Sequence, residues 1–150
     1  MKAINEMKLS FPSRSANEGF ARGAVAAFLT PLDPTASELV DVKTAVSEAV
    51  TNCIVHGYRD TIGTVFVTAA LYPDGRVVIK IRDKGCGIED IPKAMEPLYT
   101  SCQTGERAGL GFAVMQSLMD RVKVRSVPGK GTQVTLTKRI TSREAASCSR

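Results

Sequence analysis

The sequence has little of what builds metal clusters, disulfide frameworks or membrane spans. It contains no tryptophan, one histidine and four cysteines, Cys53, Cys86, Cys102 and Cys148, none of them in a C-x-x-C pair. This spacing argues against a zinc site and a disulfide framework, and it predicts a reducing cytosolic environment. No apolar run approaches the roughly 20 residues that cross a bilayer, and residues 1–6 lack the apolar segment of a secretory signal. We therefore expect a cytoplasmic protein with no membrane partner.

Aromatic side chains are also scarce, at 5% of the chain, whereas the formal net charge is +5. A basic surface attracts anions such as nucleotides or acidic partner proteins. Nucleic acid is the alternative partner, but the basic residues form no run and few aromatic side chains are available to stack on bases. The composition therefore predicts a domain with no direct nucleic-acid partner.

The order of the predicted elements indicates the fold class. Hydrophobic periodicity predicts helices near residues 15–29, 37–56 and 110–120, and strands over residues 7–11, 64–72, 76–83, 121–127 and 132–140. This order predicts an α+β fold, a two-layer α/β sandwich with helices on one face of a mixed, largely antiparallel sheet. The irregular interval 85–111, with one helical turn near 91–95, predicts a mobile lid. Residues 1–140 would form one domain, and residues 141–150 a disordered polar tail.

Glu48 and Asn52 are spaced four residues apart on the second predicted helix. Their side chains therefore share one face, a turn apart, which lies opposite the apolar stripe. For this pair alone, an ordinary solvated face is the simpler interpretation. The chemical interpretation makes Glu48 a general base and Asn52 an oxygen ligand for Mg²⁺. His56 either caps the end of the helix or stabilises a phosphate, and the cap is the preferred interpretation.

The segment from Asp83 to Gly87 ends a predicted strand with the pattern Asp-x-Gly-x-Gly. Asp83 could accept a hydrogen bond from the exocyclic amine of adenine, while Gly85 and Gly87 would let the backbone approach the base closely. Taken alone, the segment is equally typical of a plain turn. It lacks the third glycine and the following helix of a dinucleotide-binding fingerprint, and the chain contains no P-loop.

A second glycine-rich segment, Gly109-Leu110-Gly111, precedes the third predicted helix. Free N–H groups at such a position favour a phosphate, although a helix start with two small residues is the simpler alternative. Arg107 and Thr132 are further candidates for nucleotide contact. Together the segments predict an ATP-using enzyme that lacks a P-loop.

In chain order, the motifs resemble the four boxes of the GHKL superfamily of ATPases. The matching residues are Glu48-Ala49-Val50-Thr51-Asn52, Asp83-x-Gly85-x-Gly87, Gly109-x-Gly111 and Gly131-Thr132. Further segments resemble the anti-sigma serine kinases of Gram-positive bacteria, and their sporulation members in particular: Phe20-Ala21-Arg22, Leu32-Asp33-Pro34, His56-Gly57-Tyr58 and Gly109-Leu110-Gly111-Phe112. The resemblance covers about residues 7–140.

This resemblance implies a Bergerat ATP-binding fold with a mobile ATP lid. It also implies a homodimer that binds ADP or ATP with Mg²⁺, sequesters a sporulation sigma factor and phosphorylates a serine of a small anti-anti-sigma protein. The related stress-response kinase that acts on sigma B, and a sigma-binding module without phosphoryl transfer, are the alternatives.

The resemblance also implies roles for individual residues. Glu48 would be the catalytic base, Asn52 the Mg²⁺ ligand, Asp83 the adenine acceptor and Arg22 a partner contact. The nucleotide would be framed by Gly85, Gly87, Gly109, Gly111 and Thr132. The lid of the family often has Phe-Thr-Thr-Lys where this chain has Tyr99-Thr100-Ser101-Cys102. Because that lysine is missing, the phosphate contact of the lid is expected to fall to Arg107.

Overall fold

The computed structural model describes residues 1–96 and 111–141, which form five strands and four α-helices. The strands are β1 (Asn5–Pro12), β2 (Thr64–Leu71), β3 (Arg76–Asp83), β4 (Arg121–Val127) and β5 (Gly131–Arg139). The helices are α1 (Ala16–Phe28), α2 (Ala36–Asn52), α3 (Ile91–Ala94) and α4 (Phe112–Leu118). A 3₁₀ turn spans Thr30–Leu32, and a π-helical segment spans Cys53–Gly57. The predicted elements are all present, with ends that differ by a few residues.

The helix α2 begins and ends differently from the prediction. Thr35 and Glu38 form a capping box, in which the Glu38 N–H donates to Thr35 Oγ1 at 3.1 Å and the Thr35 N–H donates to Glu38 Oε1 at 2.9 Å. At the other end, the α-helix stops at Asn52 and the chain widens into the π-helical segment, where the Tyr58 N–H donates to the Cys53 carbonyl at 2.9 Å. The predicted helix to residue 56 is therefore two segments with different pitch, and π-turns of this kind are frequent at functional sites.

The sheet has the strand order β1-β2-β3-β5-β4, and every pairing between these five strands is antiparallel. The mixed character that the sequence suggested is therefore not found among the described strands. The register pairs Val67 with Ile81 and Ile79 with Leu136, so that apolar residues from neighbouring strands share one face. Side chains alternate across a sheet, and the polar residues therefore fall on the opposite face.

The core lies between the apolar face of the sheet and the helices. Helix α2 contributes Val42, Ala45, Val46, Ala49 and Val50, while α1 contributes Ala21 and Val25, and α4 contributes Phe112 and Met115. Helix α2 packs between α1 and α4 and bridges them over the sheet. The predicted α+β fold with two layers is thereby confirmed.

Several predictions concern residues that the structure does not describe. Residues 97–110, which hold most of the predicted lid, and residues 142–150 of the predicted tail lie outside the described ranges. Within those ranges, no helix has both the length and the apolar character that crossing a membrane requires.

Candidate functional site

A cavity of about 420 Å³ lies where the end of α2 meets the ends of β3 and β5 and the start of α4. Of the residues predicted from sequence, Asn52, Asp83, Gly87 and Thr132 line it. The other lining residues are Ala49, Cys53, His56, Gly57, Arg59, Ile81, Cys86, Ile88, Glu89, Lys93, Phe112 and Val134. Small-molecule sites have volumes of roughly 300–1,000 Å³, and the volume of this cavity falls within that range.

Asp83 is the buried acceptor of the cavity, with 5% of its surface exposed. Its Oδ1 accepts a hydrogen bond from the Gly85 N–H at 2.9 Å. Burial raises the pKa of the Asp83 carboxyl above its ordinary value, and hydrogen bonds from the Gly85 N–H, the Cys53 thiol and the Thr132 N–H offset part of the rise. A carboxylate held in this way, next to the apolar wall of Ile81, suits a ligand that presents an N–H donor on a flat ring.

Cys53 and Gly57 surround this carboxyl group. Cys53 is 3% exposed, and burial raises the pKa of its thiol well above its ordinary value, with a further rise from the nearby Asp83 charge. A Cβ atom on Gly57 would lie 2.8 Å from Asp83 Cγ, so a larger residue would displace the carboxyl group. Gly57 directly follows the predicted second helix, which spans about residues 37–56. In the structure, its lack of a side chain admits Asp83 beside the backbone.

The loop after Asp83 is tied to the π-helical segment. The Cys86 N–H donates to the Gly57 carbonyl at 2.9 Å, and Cys86 Sγ donates to the His56 carbonyl at 3.0 Å. The Tyr58 hydroxyl accepts from the Lys84 N–H at 2.7 Å and donates to the Thr64 carbonyl at 2.6 Å. These bonds satisfy the carbonyl groups at the end of the π-helical segment and hold the loop against it.

The same loop is also tied to the turn between β4 and β5. The Gly129 N–H donates to the Cys86 carbonyl at 2.7 Å. Gly87 has φ +75°, and a Cβ there would meet the Val127 carbonyl, so both the backbone angle and the close contact require glycine. Gly85 does not line the cavity, but its backbone lies against the Gly57 carbonyl with no space for a side chain. The two predicted glycines therefore allow close backbone packing around Asp83.

Thr132 lies directly across the sheet from Asp83, with which it is paired in the β3–β5 register. Its hydroxyl is 2.8 Å from Ser126 Oγ, which also accepts the Ile88 N–H at 2.7 Å. The Thr132 hydroxyl is therefore held in place at the wall of the cavity, as its predicted contact with a ligand requires.

Asn52 and Glu48 occupy one corner of the site, but not in the predicted environment. Asn52 is 9% exposed and lines the cavity, and Glu48 is half-buried one turn earlier. The simpler interpretation of an ordinary solvated face does not hold for Asn52, because α4 and the ends of β3 and β5 cover this end of α2. His56 is also buried, at 6%, and lines the cavity in the last turn of the π-helical segment.

Glu48 contacts Gly111, the residue immediately before α4. Gly111 has φ +69°, and a Cβ built on it would lie 3.1 Å from Glu48 Cδ and in overlap with Oε2. Glycine is therefore required there by both conformation and space. The contact places the Glu48 carboxylate at the start of α4, although Glu48 is not itself among the residues that line the cavity.

Of the remaining predicted residues, one does not line the cavity and two are not described by the structure. Arg22 lies on α1, with its Nη1 3.6 Å from Glu18 Oε1, and is not among the lining residues. Arg107 and Gly109 lie outside the described residues. Sequence reasoning from the residues missed Cys53 and Phe112 as lining residues, because both fit the apolar periodicity of their helices.

The sequence is similar to a known family of ATPase domains and to individual characterised proteins. The family model described as the histidine kinase-like ATPase domain matches residues 11–138. An anti-sigma F factor of Thermoanaerobacter pseudethanolicus is 54% identical over 142 residues, which cover 95% of this chain and 99% of the relative. An anti-sigma F factor of Clostridium botulinum (strain Eklund 17B / Type B) is 56% identical over 135 residues, which cover 90% of this chain and 94% of the relative.

Solved structures show the same fold at lower identity. The crystal structure of the RsbU and RsbW domains of a Mycobacterium tuberculosis protein has a TM-score of 0.67 and 23% identity, covering 93% of this chain and 33% of that one. The catalytic domain of the histidine kinase ThkA has a TM-score of 0.57 and 12% identity, covering 90% of this chain and 97% of that one.

Proposed function

Because this chain belongs to the histidine kinase-like ATPase family, and anti-sigma F factors match it over nearly its full length, we propose that it is an anti-sigma factor with protein serine kinase activity. In this proposal, it inhibits a sporulation sigma factor and uses ATP to phosphorylate a serine of its anti-anti-sigma antagonist. The observation that carries the proposal is one cavity at the end of α2, where buried Asp83 and Asn52 are both present and Glu48 lies one turn away.

Adenine is proposed to bind at the Asp83 end of the cavity. The carboxylate would accept the exocyclic N–H of the base, and Gly57 leaves room beside it. Ile81 and Val134 supply apolar wall for the faces of the ring. ADP and ATP carry the same adenine base, so both are expected to bind.

The chemistry of Asn52 fits the Mg²⁺ that accompanies ATP. Among the residues 1–96 and 111–141, no group of three or more His, Cys, Asp or Glu side chains could hold a metal ion by itself. Mg²⁺ keeps several waters and binds through one or two protein oxygens together with phosphate groups, so a single amide oxygen suits it. When bound, the cation neutralises charge on the phosphates during transfer.

Glu48 is proposed as the general base. Its carboxylate would take the proton from the serine hydroxyl as the serine oxygen bonds to the γ-phosphorus and the bond to the β-phosphate oxygen breaks, which releases ADP. The contact with Gly111 holds the carboxylate at the start of α4, near the corner that Asn52 lines. Asn52 and the glycine-rich segment before α4 would then position the phosphates.

Partner contact is proposed on α1, away from the cavity. Arg22 is partly exposed there, and Phe20 leaves 58% of its surface in solvent. Relatives named anti-sigma F factor support a sigma factor as one partner, and the antagonist is proposed as the phosphorylated partner. We further propose that the chain acts as a homodimer.

The proposal is tested by incubating the chain with γ-labelled ATP, Mg²⁺ and the anti-anti-sigma protein of the same genome. Phosphoserine on that protein, with label transfer lost in Glu48→Gln, is the expected result. Nucleotide binding and sigma inhibition without any transfer would reduce the chain to a sigma-binding module. Inhibition of sigma B rather than sigma F in a transcription assay would assign it to the stress response.

A further inference from the structure

The face of the sheet that points away from the helices carries a cluster of five basic side chains, here called the basic face. Its members are Lys80 and Arg82 on β3, and Arg121, Lys123 and Arg125 on β4. All five are exposed, because their neighbours Ile79, Ile81, Val122 and Val124 point toward the core. Alternation along each strand therefore directs the basic residues outward together.

The register arranges four of these residues in two parallel rows. Lys80 pairs with Thr135, which pairs with Lys123, and Arg82 pairs with Gln133, which pairs with Arg125. Adjacent strands are ~4.8 Å apart and alternate residues ~7 Å apart along a strand, so the four charges form a rectangle of roughly 7 by 10 Å. In the middle of each row, the outward position on β5 holds a hydroxyl or an amide side chain, Thr135 or Gln133.

The basic face is not neutralised by the rest of the described chain. Within residues 1–96 and 111–141, the ion pairs are Arg22–Glu18, Arg76–Asp74, Lys138–Asp41 and Arg139–Asp74, none of which involves the basic face. The outward positions of β3, β4 and β5 contain no carboxylate. Clustered like charges repel one another, so this face attracts a polyanion.

A groove of about 470 Å³ adjoins the β3 side of the basic face. Lys8, Phe66, Thr68, Lys80, Arg82 and Gln133 are among the residues that line it. The Arg82 guanidinium lies 4.7 Å from the centre of the Phe66 ring, and the Lys84 ammonium lies 5.3 Å from it. The cations therefore have apolar and hydrogen-bonding surface beside them, as a polypeptide ligand requires.

We propose that the basic face binds an acidic polypeptide segment of a partner protein, in an extended conformation along β3 or β4. In an extended segment, alternate side chains on one side repeat every ~7 Å, which matches the separation of Lys80 from Arg82 and of Lys123 from Arg125. A second copy of the chain fits poorly, because contact through the same face would place the five cations of one copy against the five cations of the other. Single-stranded nucleic acid is less suited, since stacking needs exposed aromatic rings and the Phe66 ring already has two cations against it.

The test uses the full chain and a fluorescein-labelled peptide of alternating glutamate and serine, followed by fluorescence anisotropy at low salt. The variant Lys80→Glu with Lys123→Glu reverses one charge on the β3 side and one on the β4 side of the rectangle. The matched control, Lys2→Glu with Arg14→Glu, makes the same change in net charge at exposed positions elsewhere. We expect about tenfold weaker binding in the first variant and little change in the control.

Added salt should weaken the wild-type complex, because exposed charges are screened. The variant Lys80→Gln with Lys123→Gln should show a smaller loss, and an unchanged melting temperature would show that each variant is folded. Equal weakening in the face variant and the control would overturn the proposal, since net charge alone would then explain binding. Binding of labelled oligo(dT) but not of the peptide would overturn it in favour of nucleic acid.

Discussion

At the scale of single residues, Asp83 has opposing effects on stability and on binding. Its buried carboxyl has a raised pKa, so the charged form is disfavoured in the folded protein, yet the proposed contact with adenine uses that charge. Functional sites commonly contain a polar group that binds a ligand but lowers the stability of the fold.

Asp83→Asn should therefore stabilise the protein at neutral pH while weakening nucleotide binding by ~1–3 kcal/mol. The Asn Oδ1 can still accept the Gly85 N–H, but it lacks the charge that burial penalises. The pKa of Asp83 is higher in the folded protein than its value of ~3.9 in the unfolded chain. The protonated carboxyl therefore contributes stability below pH ~3.9, and this contribution is lost as the pH rises through the folded-state pKa. The stability difference between variant and wild type should thus grow from acid to neutral pH in urea titrations. Wild-type ATP affinity in both Asp83→Asn and Asp83→Ala would make Asp83 a turn residue only.

The two described cysteines of the cavity should differ in reactivity. Cys86 is exposed, whereas Cys53 is buried with a thiol pKa raised well above its ordinary value. Iodoacetamide should therefore alkylate Cys86 and leave Cys53 intact in the folded protein. ATP should slow the alkylation of Cys86, measured by peptide mass spectrometry, and GTP at the same concentration serves as the control. Equal rates with and without ATP would place the nucleotide elsewhere.

At the scale of elements, the end of α2 decides the chemistry of the site. The helix brings Glu48 and Asn52 onto one face, and the change to π-helical pitch after Asn52 turns Cys53, His56 and Gly57 around Asp83. The two ends of the cavity are therefore positioned by one continuous segment.

Glu48→Gln should separate phosphoryl transfer from binding. A general base typically contributes ~10²–10⁴ in rate, so the phosphorylation rate should fall by that order. Glutamine is nearly isosteric, so ATP affinity and sigma inhibition should remain close to wild type. Single-turnover transfer and equilibrium binding measure the two effects. Unchanged kinetics would remove Glu48 as the base, and loss of all activities with a lower Tm would make it a structural residue.

Asn52→Ala should abolish Mg²⁺-dependent nucleotide binding, because a methyl group cannot ligate a hard cation. Isothermal titration with ATP should show the loss in the presence of Mg²⁺. Thr35→Ala at the other end of α2 is the control: it removes the capping box at a cost of ~0.5–2 kcal/mol in stability, without contact to the cavity. Wild-type Mg²⁺-ATP affinity in Asn52→Ala would contradict the assignment.

At the scale of the whole molecule, three surfaces lie in different parts of the fold. The cavity lies at one end of α2, Arg22 lies on the partly exposed face of α1, and the basic face lies on the side of the sheet away from the helices. We therefore expect that the proposed nucleotide site and the proposed partner surfaces can be altered independently.

Arg22→Glu should weaken binding to the sigma factor while leaving ATP affinity unchanged. The Arg22–Glu18 contact is a partly exposed helix pair, so its loss should cost little stability. Pull-down with the sigma factor and titration with ATP measure the two effects, and Arg14→Glu provides a control of equal charge. Equal sigma binding by Arg22→Glu and Arg14→Glu would remove Arg22 from the interface.

Local patterns in the sequence predicted the elements and the candidate motifs. Alternation along 76–83 and helical periodicity along 37–56 depend on neighbouring residues alone, so β3 and most of α2 could be assigned without tertiary information. Asn52, Asp83 and Thr132 were identified because the order of their motifs along the chain resembles that of a known family. All three line the cavity.

The tertiary structure alone decided the environment of these residues. The burial of Asn52 results from α4 and the ends of β3 and β5, which lie far from it in the chain and cannot be located by periodicity. Gly57 needs its small size only because Asp83, 26 positions later, packs against it. The basic face exists because the antiparallel register aligns two separate strands across β5. Sequence patterns report which side of an element is apolar, whereas long-range packing determines what that side meets.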